Sequence, residues 1–316
     1  MTTFPPFLQP VQQDSPVSEP CLNAVFPHKS LGACAHALWW SSSAQDPPTV
    51  LLFIPGNPGL VEFYTPFLTA IHDKSGGRVA ILAHAHLGHS PTVPHGDVYN
   101  DLSSVSLTSQ VQSAIEAADA VKSTFPMAKI VLAGHSVGSW VLKARPEVVT
   151  SVFLLFPTIT HIASTPNGRS LSWLFRSPLP RLISSASFIT RAIPLRVLAT
   201  LFPEWPQAQV AVLRTLLRAP SAIYACLSLA HDEMCTVKDL DVALLQEYRH
   251  RMHLYFAEED DWVSDQKEVI LRAFDGDPGS VKIVHGHQDI PHAFCINHGE
   301  ELAHQCFEWL ITGNLL

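Results

Sequence analysis

Lys129-Ile130-Val131-Leu132-Ala133-Gly134-His135-Ser136-Val137-Gly138, running into Ser139-Trp140-Val141-Leu142-Lys143-Ala144, is the stretch that decides the fold. Its first five residues have the apolar makeup of a buried strand, and its last six suit a helix. Between them stands Gly-x-Ser-x-Gly. A strand that turns directly into a helix leaves no room for side chains at the flanking positions, hence Gly134 and Gly138, and it lifts the Ser136 hydroxyl clear of the sheet edge.

The rest of the chain supplies the sheet that this turn requires. Apolar runs at Val50–Ile54, Val79–Leu82, Ser151–Phe156, His253–Ala257 and Val281–Val284 are each closed by a turn or by polar residues. Longer segments with helical spacing separate them, which predicts a mainly parallel sheet flanked by helices, the α/β class and here the α/β-hydrolase fold. Helices are expected over Ser106–Phe125, Asp265–Phe274 and Gly299–Ile311, and an antiparallel edge hairpin from Leu22–Phe26 and Cys34–Trp40. Residues 1–20 read as a flexible segment, and 21–157 with 251–316 as the core.

Residues 158–250 break the alternation. Prolines at 166, 178, 180, 194, 203, 206 and 220 divide this insertion into short helices set at angles. Between His161 and Pro220 seven arginines (169, 176, 181, 191, 196, 214 and 218) face one acid, Glu204, in a chain whose net charge is -8. Trp173, Leu174, Phe175, Leu182, Phe188, Leu198, Phe202 and Trp205 are interleaved with them. Such a segment is expected to cap the site, and its composition also suits shallow contact with a lipid surface.

Composition narrows the function classes. With 316 residues and 47% hydrophobic content the chain can bury a large core, and its negative charge gives no field for a nucleic acid backbone. The N-terminal Met1–Pro16 has neither a basic nor an apolar run of the kind a signal peptide needs, so cytosolic synthesis is expected. Six cysteines without a CxxC pair read as reduced thiols rather than a disulfide framework or a zinc site. No segment reads as a membrane span.

A serine hydroxyl is a poor nucleophile until a base takes its proton, and in this fold the order along the chain is serine, acid, histidine. After His253–Ala257 come Glu258-Glu259-Asp260-Asp261-Trp262-Val263. A turn from Ala257 puts Asp260 at its tip, with Asp261 as the alternative. Of the histidines that follow Val284, His285 and His287 stand too near the strand end, whereas His292 lies eight residues on, before the last helix. Most of the other members of a set of 17 histidines are expected on the surface or satisfied in the core. A tetrahedral intermediate also needs two N–H donors. One is expected from Val137, and the other from Asn57 in Pro55-Gly56-Asn57-Pro58-Gly59, because Pro58 has no N–H.

These residues resemble the lipid-droplet-associated hydrolases, a branch of the serine-lipase-like α/β-hydrolases. The resemblance rests on Phe53–Leu68 (FIPGNPGLVEFYTPFL), His84–His89 (HAHLGH), Ser106–Glu116, Ile130–Trp140, Asp260-Asp261-Trp262 and Ile290–Phe294. It implies a triad of Ser136, Asp260 and His292, placement on lipid droplets and endoplasmic reticulum, and action on sterol esters. The chain departs from the family pattern at Ala257, where glycine is usual, and through Thr158–His250. Acyl transfer from a lipid ester to Ser136, followed by hydrolysis, calls for no metal or organic cofactor. The alternative is a lipid-surface organising protein with little or no turnover, which needs the amphipathic surface but no open path to Ser136.

Overall fold

A computed structural model describes residues 4–11, 21–93, 101–141, 148–286 and 290–316. The chain opens with strands β1 (Gln9–Pro10), β2 (Leu22–His28), β3 (Ala33–Trp40) and β4 (Thr49–Ile54), then helix α1 (Thr65–Lys74) and β5 (Val79–His84). Next come α2 (Leu107–Thr124), β6 (Lys129–His135), α3 (Val137–Val141) and β7 (Ser151–Leu155). The insertion carries α4 (Pro166–Leu171), α5 (Leu179–Thr190), α6 (Leu195–Leu201), α7 (Gln207–Leu217), α8 (Pro220–Thr236) and α9 (Val242–Tyr248). The chain then returns through β8 (Met252–Phe256), α10 (Gln266–Arg272), β9 (Lys282–His285) and α11 (Gly299–Thr312).

Among the described residues the strands form one nine-stranded sheet in the order β1-β2-β3-β5-β4-β6-β7-β8-β9. From β5 to β9 every pairing is parallel, while β1, β2 and β3 run antiparallel at one end. Strands β4 and β5 are buried along their whole length, as expected of central parallel strands covered on both faces. Phe53, Phe67, Phe153, Phe294 and Trp309 pack on one face under α1 and α11. Val50, Leu52, Ile54, Leu132 and Val121 fill the other beneath α2. Helix α2 begins where Ser106 accepts a hydrogen bond from the Ser109 N–H at 3.2 Å.

The expected flexibility of residues 1–20 does not hold at 4–11. Leu8 is buried, Phe7 meets Trp39 edge-on at 6.1 Å, and Gln9–Pro10 pair with β2. Three apolar side chains, Phe4, Phe7 and Leu8, give this proline-rich stretch enough surface to bury. Residues 1–3 and 12–20 lie outside the described residues, as does His287.

Prolines end or start most of the helices of the insertion, which is why it is a set of short pieces: Pro166, Pro180 and Pro220 stand in first turns. Among the described residues no single helix is long and apolar enough to cross a membrane. Helices α7 and α8 meet that test only as a pair bent by 91°, and Val210, Leu216, Ala222 and Leu229 on them are buried in the protein. All six cysteines are free, with Cys21, Cys226, Cys295 and Cys306 buried.

Candidate active site

The residues singled out by order along the chain meet at the carboxyl ends of the parallel strands. Ser136 follows β6, between β4 and β7 at the centre of the sheet. Its φ is +54°, a left-handed conformation that L-residues adopt at a cost of about 1–3 kcal/mol. Two close approaches hold it there. A Cβ on Gly134 would lie 2.6 Å from the Gly138 carbonyl carbon, and one on Gly138 would lie 2.4 Å from the Ile54 oxygen.

Ser136 Oγ donates to His292 Nε2 at 3.0 Å, and His292 Nδ1 donates to Asp260 Oδ2 at 2.8 Å. His292 stands on the loop between β9 and α11, and Asp260 in the turn after β8. The second Asp260 oxygen accepts from the main-chain N–H of Trp262 at 2.9 Å and of Val263 at 3.2 Å, which fixes the carboxylate plane. The Asp260 side chain is 5% exposed, whereas Asp261 points outward and gives its carbonyl to the Asn167 N–H. Ala257 is buried and lies outside the set of residues with left-handed φ, so this turn has no need of the glycine usual in the family.

Val137 opens α3, where the first N–H groups have no partner inside the helix. Asn57 sits across from it in the loop after β4. The Asn57 amide spends both hydrogens on helix α8 of the insertion, on the Cys226 carbonyl at 2.9 Å and on Glu233 Oε1 at 2.8 Å. On its other side the loop is braced by His86, whose Nε2 donates to the Pro55 oxygen at 2.9 Å. Burial lowers the His86 pKa to about 4, so the imidazole is neutral at physiological pH.

Tyr64, His135 and Glu233 are contributors that the sequence reading passed over. Tyr64 Oη accepts from the Gly56 N–H at 3.2 Å and donates to His135 Nδ1 at 2.7 Å. His135 Nε2 then donates to the His292 carbonyl at 2.9 Å. Burial holds the His135 pKa well below its usual value, with the neighbouring His292 adding to the effect, so the ring keeps one proton. Glu233 had a legible signal: it continues the buried stripe Ala222, Cys226, Leu229, Ala230 on α8 at helical spacing. An acid in such a stripe is one of the rarer buried residues.

Ser136 and His292 open on a cavity of 420 Å³ lined by Phe63, Phe175, Trp205, Leu213, Met234 and Ile296, with Glu233 among them. The insertion supplies Phe175, Trp205, Leu213, Glu233 and Met234 to this lining. Among the described residues no group of three or more His, Cys, Asp or Glu could hold a metal ion.

The model of the lipid-droplet-associated hydrolase family matches residues 47–295. The rat lipid droplet-associated hydrolase is 26% identical over 305 residues, which span 86% of this chain and 88% of that protein. The human protein of the same name is 27% identical over 296 residues, 84% of this chain and 86% of its own length. Among solved structures, the haloalkane dehalogenase of Agrobacterium tumefaciens C58 superposes with a TM-score of 0.64 at 15% identity, covering 93% of this chain and 97% of that one. A carboxylesterase of the thaumarchaeon Nitrososphaera gargenis gives 0.61 at 10% identity, covering 92% and 98%. At these identities the structural likeness is one of fold. The family match runs from just before β4 to just past His292, and with the sheet order it places this chain in the lipid-droplet-associated hydrolase family, within the α/β-hydrolase fold.

Proposed function

We propose that this hydrolase is a serine carboxylic ester hydrolase acting on apolar lipid esters, sterol esters included, at the cytosolic face of lipid droplets and endoplasmic reticulum. The observation that carries the reading is the unbroken hydrogen-bond chain from Ser136 through His292 to Asp260, opening on an apolar cavity. His292 Nε2 takes the hydroxyl proton as Ser136 Oγ attacks the ester carbonyl, and Asp260 holds the imidazole in the tautomer that can do so. The N–H groups of Val137 and Asn57 receive the oxyanion. The imidazolium returns its proton to the leaving alcohol, and water activated by the same base releases the acyl group.

Contact with a lipid surface is supported by an inverted helix. On α5 Ser184 and Ser187 are buried, whereas Leu182, Phe188 and Ile189 are 58%, 70% and 76% exposed. Arg191 lies 5.5 Å over the Phe188 ring, and Trp173, Val197 and Leu201 of the cap are also exposed. Of the aromatic residues expected to touch lipid, Phe175 and Trp205 line the cavity instead.

A fluorophosphonate should label the wild type at Ser136, and Ser136→Ala should lose both labelling and ester hydrolysis while melting at nearly the same temperature. Full labelling of the variant would remove Ser136 from the role. Wild-type protein that labels but turns over no ester would select the lipid-surface organising protein, for which the α5 face is sufficient.

A further inference from the structure

We propose that Glu233 binds a hydroxyl group of the substrate beside the scissile ester, so that the site favours partial esters of a polyol, such as monoacylglycerols, over esters of monohydric alcohols. This rests on the ester hydrolase reading and ranks substrates within it.

Glu233 is 4% exposed and faces an otherwise apolar part of the cavity, among Cys226, Leu227, Ala230 and Met234. A carboxyl group in such surroundings is costly unless its polar atoms are matched. Burial raises its pKa to about 8, with the Asn57 hydrogen bond opposing and nearby Asp232 adding, so the group carries its proton at neutral pH. Oε1 accepts from Asn57, which leaves the proton on Oε2. No described residue bonds Oε2, and Glu233 lines the cavity in which an ester would lie.

Anchoring the oxyanion loop does not account for an acid here. Asn57 needs only acceptors, the Cys226 carbonyl already supplies one, and a glutamine oxygen would supply the other. The protonated carboxyl carries, beside the acceptor that Asn57 uses, an O–H donor that anchoring leaves unspent, and a substrate hydroxyl answers it by accepting. Because Glu233 is one hydrogen bond away from the residue whose N–H flanks the reacting carbonyl, the hydroxyl it meets lies within a few bonds of the ester. A monoacylglycerol has such a hydroxyl, and a sterol ester has none.

The test uses a pair of esters matched in size, 2-hydroxyethyl butyrate and n-propyl butyrate. Wild-type kcat/KM should favour the hydroxyethyl ester by about tenfold or more. Glu233→Leu should bring the ratio close to one, whatever happens to the two rates together, and Glu233→Gln should keep part of the preference. Equal wild-type values overturn the proposal. So does a ratio that survives in Glu233→Leu, because a purely anchoring Glu233 slows both esters alike. Binding gives a readout independent of turnover: calorimetric titration of the Ser136→Ala protein with 2-(hexyloxy)ethanol and with hexyl propyl ether. The alcohol should bind about tenfold more tightly, and equal affinities overturn the proposal. A wild type that hydrolyses neither ester yet binds the alcohol selectively would remove the hydrolase reading and leave the hydroxyl site standing.

Discussion

His135 donates from Nε2 to the main-chain oxygen of His292 across 2.9 Å, so the residue before Ser136 supports the loop that carries the His292 imidazole. Tyr64 extends this support to Gly56, and one hydrogen-bonded chain therefore ties the loop after β4, the turn at Ser136 and the loop that carries His292 together. Tyr64→Phe removes the hydroxyl at its centre and leaves both His135 Nδ1 and the Gly56 N–H without a partner. We expect kcat to fall by about tenfold to a hundredfold with KM little changed, since the reacting groups lose alignment rather than substrate contacts. Steady-state kinetics on a soluble ester decide it, and an unchanged kcat rules out the bracing role.

Asp260→Asn should lower kcat by about 10⁴, because an amide favours the wrong imidazole tautomer. Asp261→Asn should change it little, as that side chain faces solvent. The opposite ranking, measured on the same ester, would move the acid by one residue.

Gly138→Ala sets a methyl group 2.4 Å from the Ile54 oxygen, inside the sheet, where neither side can give way. We expect a loss of about 3 kcal/mol or more and poor soluble yield. Gly276→Ala, where a Cβ meets nothing within 4 Å, is the matched control and should melt like the wild type. Equal melting of the two variants would contradict the packing argument.

Buried titratable groups predict a stability maximum near pH 6.5. His86 and His253 have folded pKa values of about 4 against 6.5 when unfolded, both chiefly through burial. Between those values the unfolded chain binds protons that the native protein does not, so stability rises with pH, by about 3 kcal/mol for each group. His84 and His135, also held low by burial, act in the same direction. Glu233 acts oppositely: its folded pKa of about 8 exceeds the unfolded 4.5, the native state keeps the extra proton, and stability declines as pH rises through that window. Above pH 6.5 the histidine contribution is complete and the Glu233 decline remains. Urea unfolding of the wild type should therefore show lower stability at pH 8 than at pH 6.5, and Glu233→Gln should flatten that limb. A wild-type curve still rising toward pH 8 would refute the assignment.

The apolar runs and the Gly134–Gly138 turn made most of the sheet legible from sequence, because central parallel strands have no polar face to disguise them and Gly134 and Gly138 have steric reasons that hold in any context. Chain order limited the candidates to Ser136, Asp260 and His292, whose side chains the structure brings within hydrogen-bonding distance of one another. Tyr64 and His135 escaped notice since their roles depend on hydrogen bonds across 71 and 157 positions of separation, which no periodicity reports. The insertion of residues 158–250 was readable as short helices from its prolines. Which of its aromatics face the cavity and which face water was not readable, because both choices satisfy the same amphipathic pattern.

Changing Leu182, Phe188 and Ile189 together to serine tests the outward face of α5. These side chains contribute little to the core, so the variant should fold, retain hydrolysis of a soluble ester and lose most of its binding to phospholipid-coated oil droplets in a flotation assay. Undiminished flotation of the folded variant would reduce the insertion to a cap alone.

The grip of α8 on both Asn57 amide hydrogens has a consequence for protein engineering. In many enzymes a lid can be exchanged as a cartridge, with the catalytic floor left intact. Here a transplanted lid that lacks an acceptor opposite Asn57 would release the loop expected to polarise the ester. Chimeras that import a relative's residues 158–250 should thus succeed only when residue 57 and its partner on the incoming helix travel as a matched set.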